Sequence, residues 1–188
     1  MTFRLKVVAL LAVSALGVVA VSAVALAKDS SKFETSLNGY EELPTLSTRG
    51  NGTFEAKLNK DGSELAYKLS YEGPFDGNST GAASTVTQAH IHFGARAFSG
   101  GISAFLCTNL GNGPAGTPAC PAAPASVSGV IRPASIVGPA AQGIAPGEFT
   151  ELVRALRAGA AYANVHTTAN PAGEIRGQID GNGHGDDD

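Results

Sequence analysis

The sequence predicts an all-β domain: an antiparallel, Greek-key-like β-sandwich or partly closed barrel of seven or eight strands with one short helix. Short runs of alternating apolar and polar residues recur along the chain, and turn-forming segments separate them at regular intervals. Helical spacing of apolar residues occurs in one segment only. Because charged residues make up only 15% of the chain, a disordered polymer and a coiled coil are both excluded.

The first 27 residues are predicted to be a signal peptide. Arg4 and Lys6 precede an apolar run at 7–24, and Ala25 and Ala27 stand where a signal peptidase requires small residues. The alternative is an uncleaved anchor, since a run of this length just spans a bilayer. With cleavage after Ala27, the protein is secreted or periplasmic and makes no stable membrane insertion.

Residues 28–180 are expected to form one domain, because their length suits a single hydrophobic core. Residues 181–188 are expected to be a disordered acidic tail, since their Gly, Asn and Asp residues cannot bury apolar surface. The net charge is −3 and there is no cluster of Lys and Arg, so nucleic acid is excluded as the main partner. The sequence specifies no protein or small-ligand partner.

The strands follow from alternation and turn chemistry, taken in chain order. The first run, 33–37, ends at the break around Glu42 and Pro44. The clearest hairpin joins the alternating runs 54–58 and 65–71 through the turn at 59–62. The remaining strands are expected at 86–93, 101–107, 126–131, 162–167 and 174–179.

One short helix is predicted after Pro146. Its apolar residues have helical spacing, with Phe149, Leu152, Val153 and Leu156 on one face. Acidic residues occupy its first turn, basic residues its last turn, and Gly159 follows as the stop signal. The helix is expected to close one end of the barrel or sandwich.

The two cysteines, Cys107 and Cys120, are expected to form a disulfide. An even pair in an exported chain is normally oxidised, and free thiols are the alternative. The bridge would stabilise the domain by roughly 3 kcal/mol in the chain-entropy model.

Three histidines are candidate metal ligands. His90 and His92 lie on one face of the strand 86–93, about 6.6 Å apart along it. His166 lies on another predicted strand, on the face that it shares with Tyr162 and Asn164. If the two strands are neighbours, three neutral imidazoles can bind copper or zinc and leave one position open for water or substrate.

The alternative is a polar face without metal, in which the histidines donate to backbone carbonyls or to Glu174. Glu174 and Arg176 share a face of the last strand, where an Arg–carboxylate pair is the ordinary structural outcome. Both are therefore expected to be structural residues. His184, in the tail, is expected to be solvated.

The segments Ala89-His90-Ile91-His92-Phe93-Gly94, Asn164-Val165-His166-Thr167 and Asn170-Pro171-Ala172-Gly173-Glu174-Ile175-Arg176-Gly177-Gln178-Ile179 resemble the CHRD (chordin) domain family. The resemblance spans about residues 32–180 and implies an antiparallel β-sandwich. The family occurs in chordin, an extracellular binder of growth factors, and as stand-alone exported proteins in microbes. Its His-x-His strand is similar, by analogy, to the copper strand of Cu,Zn superoxide dismutases.

Two function hypotheses follow. The first is an exported binding or structural module with no catalytic role. The second is a mononuclear copper or zinc protein that uses His90, His92 and His166 as metal ligands. In the copper form, this hypothesis includes superoxide-handling activity. The sequence identifies no catalytic residues, because no nucleophile motif is present and no acidic pair is placed by periodicity.

Overall fold

The computed structural model describes residues 31–76 and 84–180. The predicted signal peptide at 1–27 and the tail at 181–188 lie outside these residues. The described chain contains eight strands and one α-helix, in the order β1 (Lys32–Asn38), β2 (Asn51–Leu58), β3 (Leu65–Glu72), β4 (Val86–Phe93), β5 (Gly101–Thr108), β6 (Ala125–Ile131), α1 (Phe149–Arg157), β7 (Ala161–Thr167) and β8 (Ile175–Gln178). The all-β prediction is confirmed.

The eight strands form one antiparallel sheet in the order β5-β4-β7-β8-β1-β2-β3-β6. The sheet curls into a nearly closed barrel, which brings its two end strands, β5 and β6, close to each other. Near this seam the Tyr67 hydroxyl, on β3, donates a 2.6 Å hydrogen bond to the Leu106 carbonyl on β5. This bond links opposite ends of the strand order.

The predicted hairpin of β2 and β3 is present in full register, from Asn51 opposite Glu72 to Leu58 opposite Leu65. In the turn of this hairpin, the side-chain oxygen of Asn59 accepts hydrogen bonds from the backbone N–H groups of Ser63 and Glu64. Gly62 has a φ of +68°, which glycine adopts without the steric penalty of a Cβ.

The apolar core fills the barrel. Alternate residues of β2 and β3 are buried, as the period-two pattern predicts. The helix α1 buries its predicted apolar face in the same core and ends before Gly159, whose φ is +63°. The predicted helix is therefore confirmed. No helix in the described ranges is long and apolar enough to cross a membrane.

The disulfide between Cys107 and Cys120 is confirmed, with the two Cα atoms 5.0 Å apart. It joins the end of β5 to the loop that leads towards β6. The side chain of Asn109 holds the backbone of Cys120 in place: it donates to the Cys120 carbonyl and accepts from the Cys120 backbone N–H.

Strands β4, β7 and β8 carry a second buried layer on the side away from the core. Its side chains form what we call the polar face, and none is more than 8% exposed: His90, His92, Tyr162, Asn164, His166, Arg176 and Gln178. Residues of three loops, 39–48, 94–100 and 168–173, bond to these side chains. Burial of a polar layer requires hydrogen-bond partners for nearly every group, so these loops position the candidate site.

Candidate metal centre

The three predicted histidines come together on the polar face. Strand β7 pairs with β4, and this register places Gln88 opposite His166 and Asn164 opposite His90. His166 is therefore a diagonal neighbour of His90, while His92 lies two residues further along β4. One ring nitrogen from each histidine lies within 4.8 Å of the other two.

Backbone carbonyls hold two of the three rings. His92 Nδ1 lies 2.9 Å from the Gly100 carbonyl, and His166 Nδ1 lies 2.9 Å from the Pro171 carbonyl. Because a carbonyl oxygen only accepts, each Nδ1 carries the hydrogen and each Nε2 keeps its lone pair. This is the arrangement in which a neutral histidine offers Nε2 to a metal ion.

His90 completes the cluster through its own Nδ1, which lies 3.1 Å from His166 Nε2. Since His166 Nε2 is the acceptor, His90 Nδ1 donates this hydrogen bond. The Nε2 atoms of His90 and His92 are buried and have no hydrogen-bond partner. An unsatisfied buried lone pair is costly, and the lone pair of His92 Nε2 is available to a ligand such as a metal ion.

Burial keeps the cluster uncharged. It lowers the pKa of His90 to about 2, with further lowering by His166 and His92. It lowers the pKa of His92 to about 4, although the hydrogen bond to Gly100 opposes this shift. Burial also lowers the pKa of His166. All three imidazoles are therefore neutral at pH 7, which is the protonation state required for metal ligation.

Phe105 borders the cluster on the β5 side, with its ring 4.5 Å from the His90 ring and nearly perpendicular to it. Its position depends on a register irregularity. Ala89 lies opposite Cys107, yet the next residue, His90, lies opposite Phe105, so that Leu106 is the extra residue of a bulge. Sequence periodicity gives no signal for this bulge, and the contact was not predicted.

A flat stack of side chains supports His92. The Tyr162 ring lies 4.8 Å from the His92 ring with only 6° between their planes. The Tyr162 ring also contacts Arg176, whose guanidinium carbon lies 3.5 Å from the centroid of the Tyr162 ring. We call the three side chains the Arg176–Tyr162–His92 stack.

A buried carboxyl group lies beside the polar face. Glu42 is 5% exposed and accepts a 3.1 Å hydrogen bond from Asn164 Nδ2. Burial raises the pKa of Glu42 to about 7, against smaller lowering contributions that include Asn164 and Arg176. The sequence marked Glu42 only as part of a strand break, because its contact with β7 is made across 122 residues.

Residues 33–179 match the family model described as CHRD domain. The chain belongs to the CHRD domain family. The family resemblance of the sequence is thereby confirmed, and CHRD domains are typically extracellular or periplasmic. Neither a curated protein nor a solved structure shows a significant match to the chain.

The closing motif of this CHRD domain contains the two predicted structural residues. Glu174 accepts hydrogen bonds from the hydroxyls of Thr48, at 2.8 Å, and Thr167, at 2.6 Å. Arg176 donates through Nη2 to the carbonyls of Ala95 and Phe98. The two residues thus connect β8 and its turn to different loops, and their structural role remains a prediction. His184 lies outside the described residues.

Proposed function

We propose that this CHRD domain is an exported metal-binding module that holds one copper or zinc ion through His90, His92 and His166. One observation carries the proposal: three buried neutral imidazoles direct one nitrogen each into a space less than 5 Å across. Imidazole sets of this kind suit copper and zinc. Three protein ligands leave one coordination position for water or another small ligand.

The distances support a fit. Two nitrogens bound at 2.0–2.1 Å in tetrahedral geometry lie about 3.3 Å apart. His90 Nδ1 and His166 Nε2 are 3.1 Å apart, so the two rings need to separate only slightly. The ion would replace the hydrogen between them and bind His90 through Nδ1, with the His90 proton on Nε2.

The surrounding bonds also support a ligand role. His92 and His166 donate their Nδ1 hydrogens to backbone carbonyls, which fixes both rings with an unprotonated Nε2. Among the described residues, the three histidines are the one group of His, Cys, Asp and Glu side chains with metal-ligand spacing. The proposed centre is therefore mononuclear.

The competing hypothesis is a binding or structural module in which the same histidines form a metal-free polar layer. Elemental analysis separates the two. Residues 28–180, which lack His184, would be expressed with copper and zinc supplements, purified without metal-chelating resin, and measured by mass spectrometry for metal content.

We expect one equivalent of metal in the wild-type domain and none in His92→Ala. Gln88→Ala is the matched control, because Gln88 lies on the same face of β4 but bonds to Asn112. Circular dichroism would verify that each variant is folded. A wild-type domain without stoichiometric copper or zinc would favour the metal-free module. A folded His92→Ala that retains stoichiometric metal would show that His92 is not a ligand and would overturn the three-histidine centre. Superoxide-handling activity, suggested by the copper-strand analogy, would be assayed on copper-loaded protein.

A further inference from the structure

We infer that Arg176 and Tyr162 are positioning residues for this centre: together with the 94–100 loop, they hold the His92 ring with Nδ1 protonated and Nε2 free. The role in metal binding rests on the proposed function. The ring state itself is a property of the metal-free protein and can be measured there.

The stack follows from strand register. Tyr162 lies directly opposite His92 in the β4–β7 pair, so both side chains project from the polar face as neighbours. Arg176, on β8, reaches the other face of the Tyr162 ring. Tyr162 is 3% exposed and Arg176 is 2% exposed, and a cation over an aromatic ring interacts most strongly when both are removed from water.

Arg176 also holds the loop that bonds to His92. Its Nη2 donates to the carbonyl of Ala95 at 3.3 Å and to that of Phe98 at 3.0 Å. Beyond these residues, Gly100 donates its backbone N–H to the Tyr162 hydroxyl at 3.0 Å and accepts from His92 Nδ1. Arg176 is therefore connected to His92 in two ways: through the Tyr162 ring, and through the 94–100 loop.

These two routes act on different properties of His92. Ring stacking restricts rotation of the imidazole, and the Gly100 carbonyl selects the tautomer, because it can bond only to a protonated Nδ1. A neutral histidine without such partners populates both tautomers. When Arg176 or the Tyr162 ring is removed, His92 should lose its preference for the Nδ1–H form and with it part of its affinity for metal.

The test is to read the His92 tautomer by nitrogen-15 NMR in metal-free residues 28–180 with labelled histidine. The variants are Arg176→Gln, Arg176→Lys, Tyr162→Leu and Tyr162→Phe. The matched control is Arg96→Gln, which removes an exposed ion pair between the same loop and Glu41 but leaves the stack intact.

We expect His92 to be in the Nδ1–H form in the wild type, in Arg96→Gln and in Tyr162→Phe, which keeps the aromatic face. Arg176→Gln and Tyr162→Leu should show mixed tautomers. Arg176→Lys should resemble them, because an ammonium group lacks the planar guanidinium that stacks on Tyr162. In metal titrations, Arg176→Gln and Tyr162→Leu should lose 10- to 100-fold in copper or zinc affinity, the usual effect of altering residues behind a ligand.

The inference is wrong if folded Arg176→Gln and Tyr162→Leu keep the Nδ1–H form and wild-type affinity. If Arg176→Gln does not fold, the comparison of Tyr162→Leu with Tyr162→Phe decides, since the two variants differ in the aromatic face. If the tautomers change as expected but the wild type binds no metal, the result overturns the proposed function and supports the positioning of His92.

Discussion

Replacing Gly173 with alanine is expected to destabilise the domain by about 2–6 kcal/mol. Gly173 has a φ of +137°, far from the left-handed well near +57° that other residues occasionally adopt. A residue with a Cβ in such a conformation costs of order 1–3 kcal/mol. The added methyl group also has no room, because its carbon would lie 2.5 Å from Glu42 Oε1 and 2.6 Å from Asn164 Oδ1.

This overlap is expensive because neither neighbour can move into solvent. Glu42 and Asn164 are 5% and 4% exposed, and they bond to each other. Forced displacement of well-packed groups typically costs another 1–3 kcal/mol. Asn164 lies opposite both His90 and Arg176 in its two strand pairs, so its displacement should also disturb the candidate metal centre.

Urea unfolding of residues 28–180, with the disulfide intact, gives the free energy of unfolding for comparison. Gly62→Ala is the matched control, because Gly62 also has a positive φ, +68°, but an added Cβ there would have no neighbour within 4 Å. We expect Gly62→Ala to lose only about 1 kcal/mol, the backbone contribution alone. Equal losses in the two variants would refute the steric account of Gly173.

Three further outcomes are expected. Replacing Cys107 and Cys120 together by alanine should lower the free energy of unfolding by about 3 kcal/mol, since the disulfide closes a short loop in the unfolded chain. Alkylation of the unfolded, unreduced wild-type protein should label neither cysteine, and two labelled thiols would contradict the disulfide. The contribution of His90 and His92 to stability should fall as the pH drops below about 6.5, because the unfolded chain then binds protons that these two residues, with folded pKa values of about 2 and 4, do not accept; a wild-type minus His92→Gln difference in the free energy of unfolding that rises as the pH falls from 6 to 4 would contradict this. Glu42→Gln should stabilise the domain above pH 7 relative to wild type, because the folded pKa of Glu42, about 7, exceeds its ordinary value of 4.5, so that the contribution of Glu42 to stability is lost as the pH rises through this range; a wild-type minus Glu42→Gln difference in the free energy of unfolding that does not fall between pH 5 and pH 8 would show that Glu42 is not the group responsible.

Local patterns accounted for most of the secondary structure. The β2–β3 hairpin follows from alternation on both sides of a turn-forming segment, and α1 begins and ends where its apolar spacing and flanking charges predict. The last strand is shorter than predicted: it spans Ile175–Gln178, whereas alternation suggested 174–179. Glu174 instead ends the preceding turn, where its carboxylate bonds to two threonine hydroxyls.

The candidate site was only partly accessible from sequence. Alternation places His90 and His92 on one face, because that property depends on neighbouring residues alone. The approach of His166 depends on β4 pairing with β7, a contact between strands that are distant in the chain, and no local pattern encodes it. Glu42 and Phe105 were missed for the same reason, since a loop crossing and a bulge bring them to the site.

The pairing of β4 with β7 also determines when the histidine cluster can exist. His90 and His166 are separated by 76 residues, and the closure of such a long loop must be compensated by many contacts formed at the same time. A nascent or partly unfolded chain that lacks this pairing offers His90 and His92 as two loosely held imidazoles. In the proposed function, tight metal binding would therefore be thermodynamically linked to completion of the barrel, and a bound ion would stabilise the whole domain by about 2.7 kcal/mol at a free concentration one hundred times its Kd.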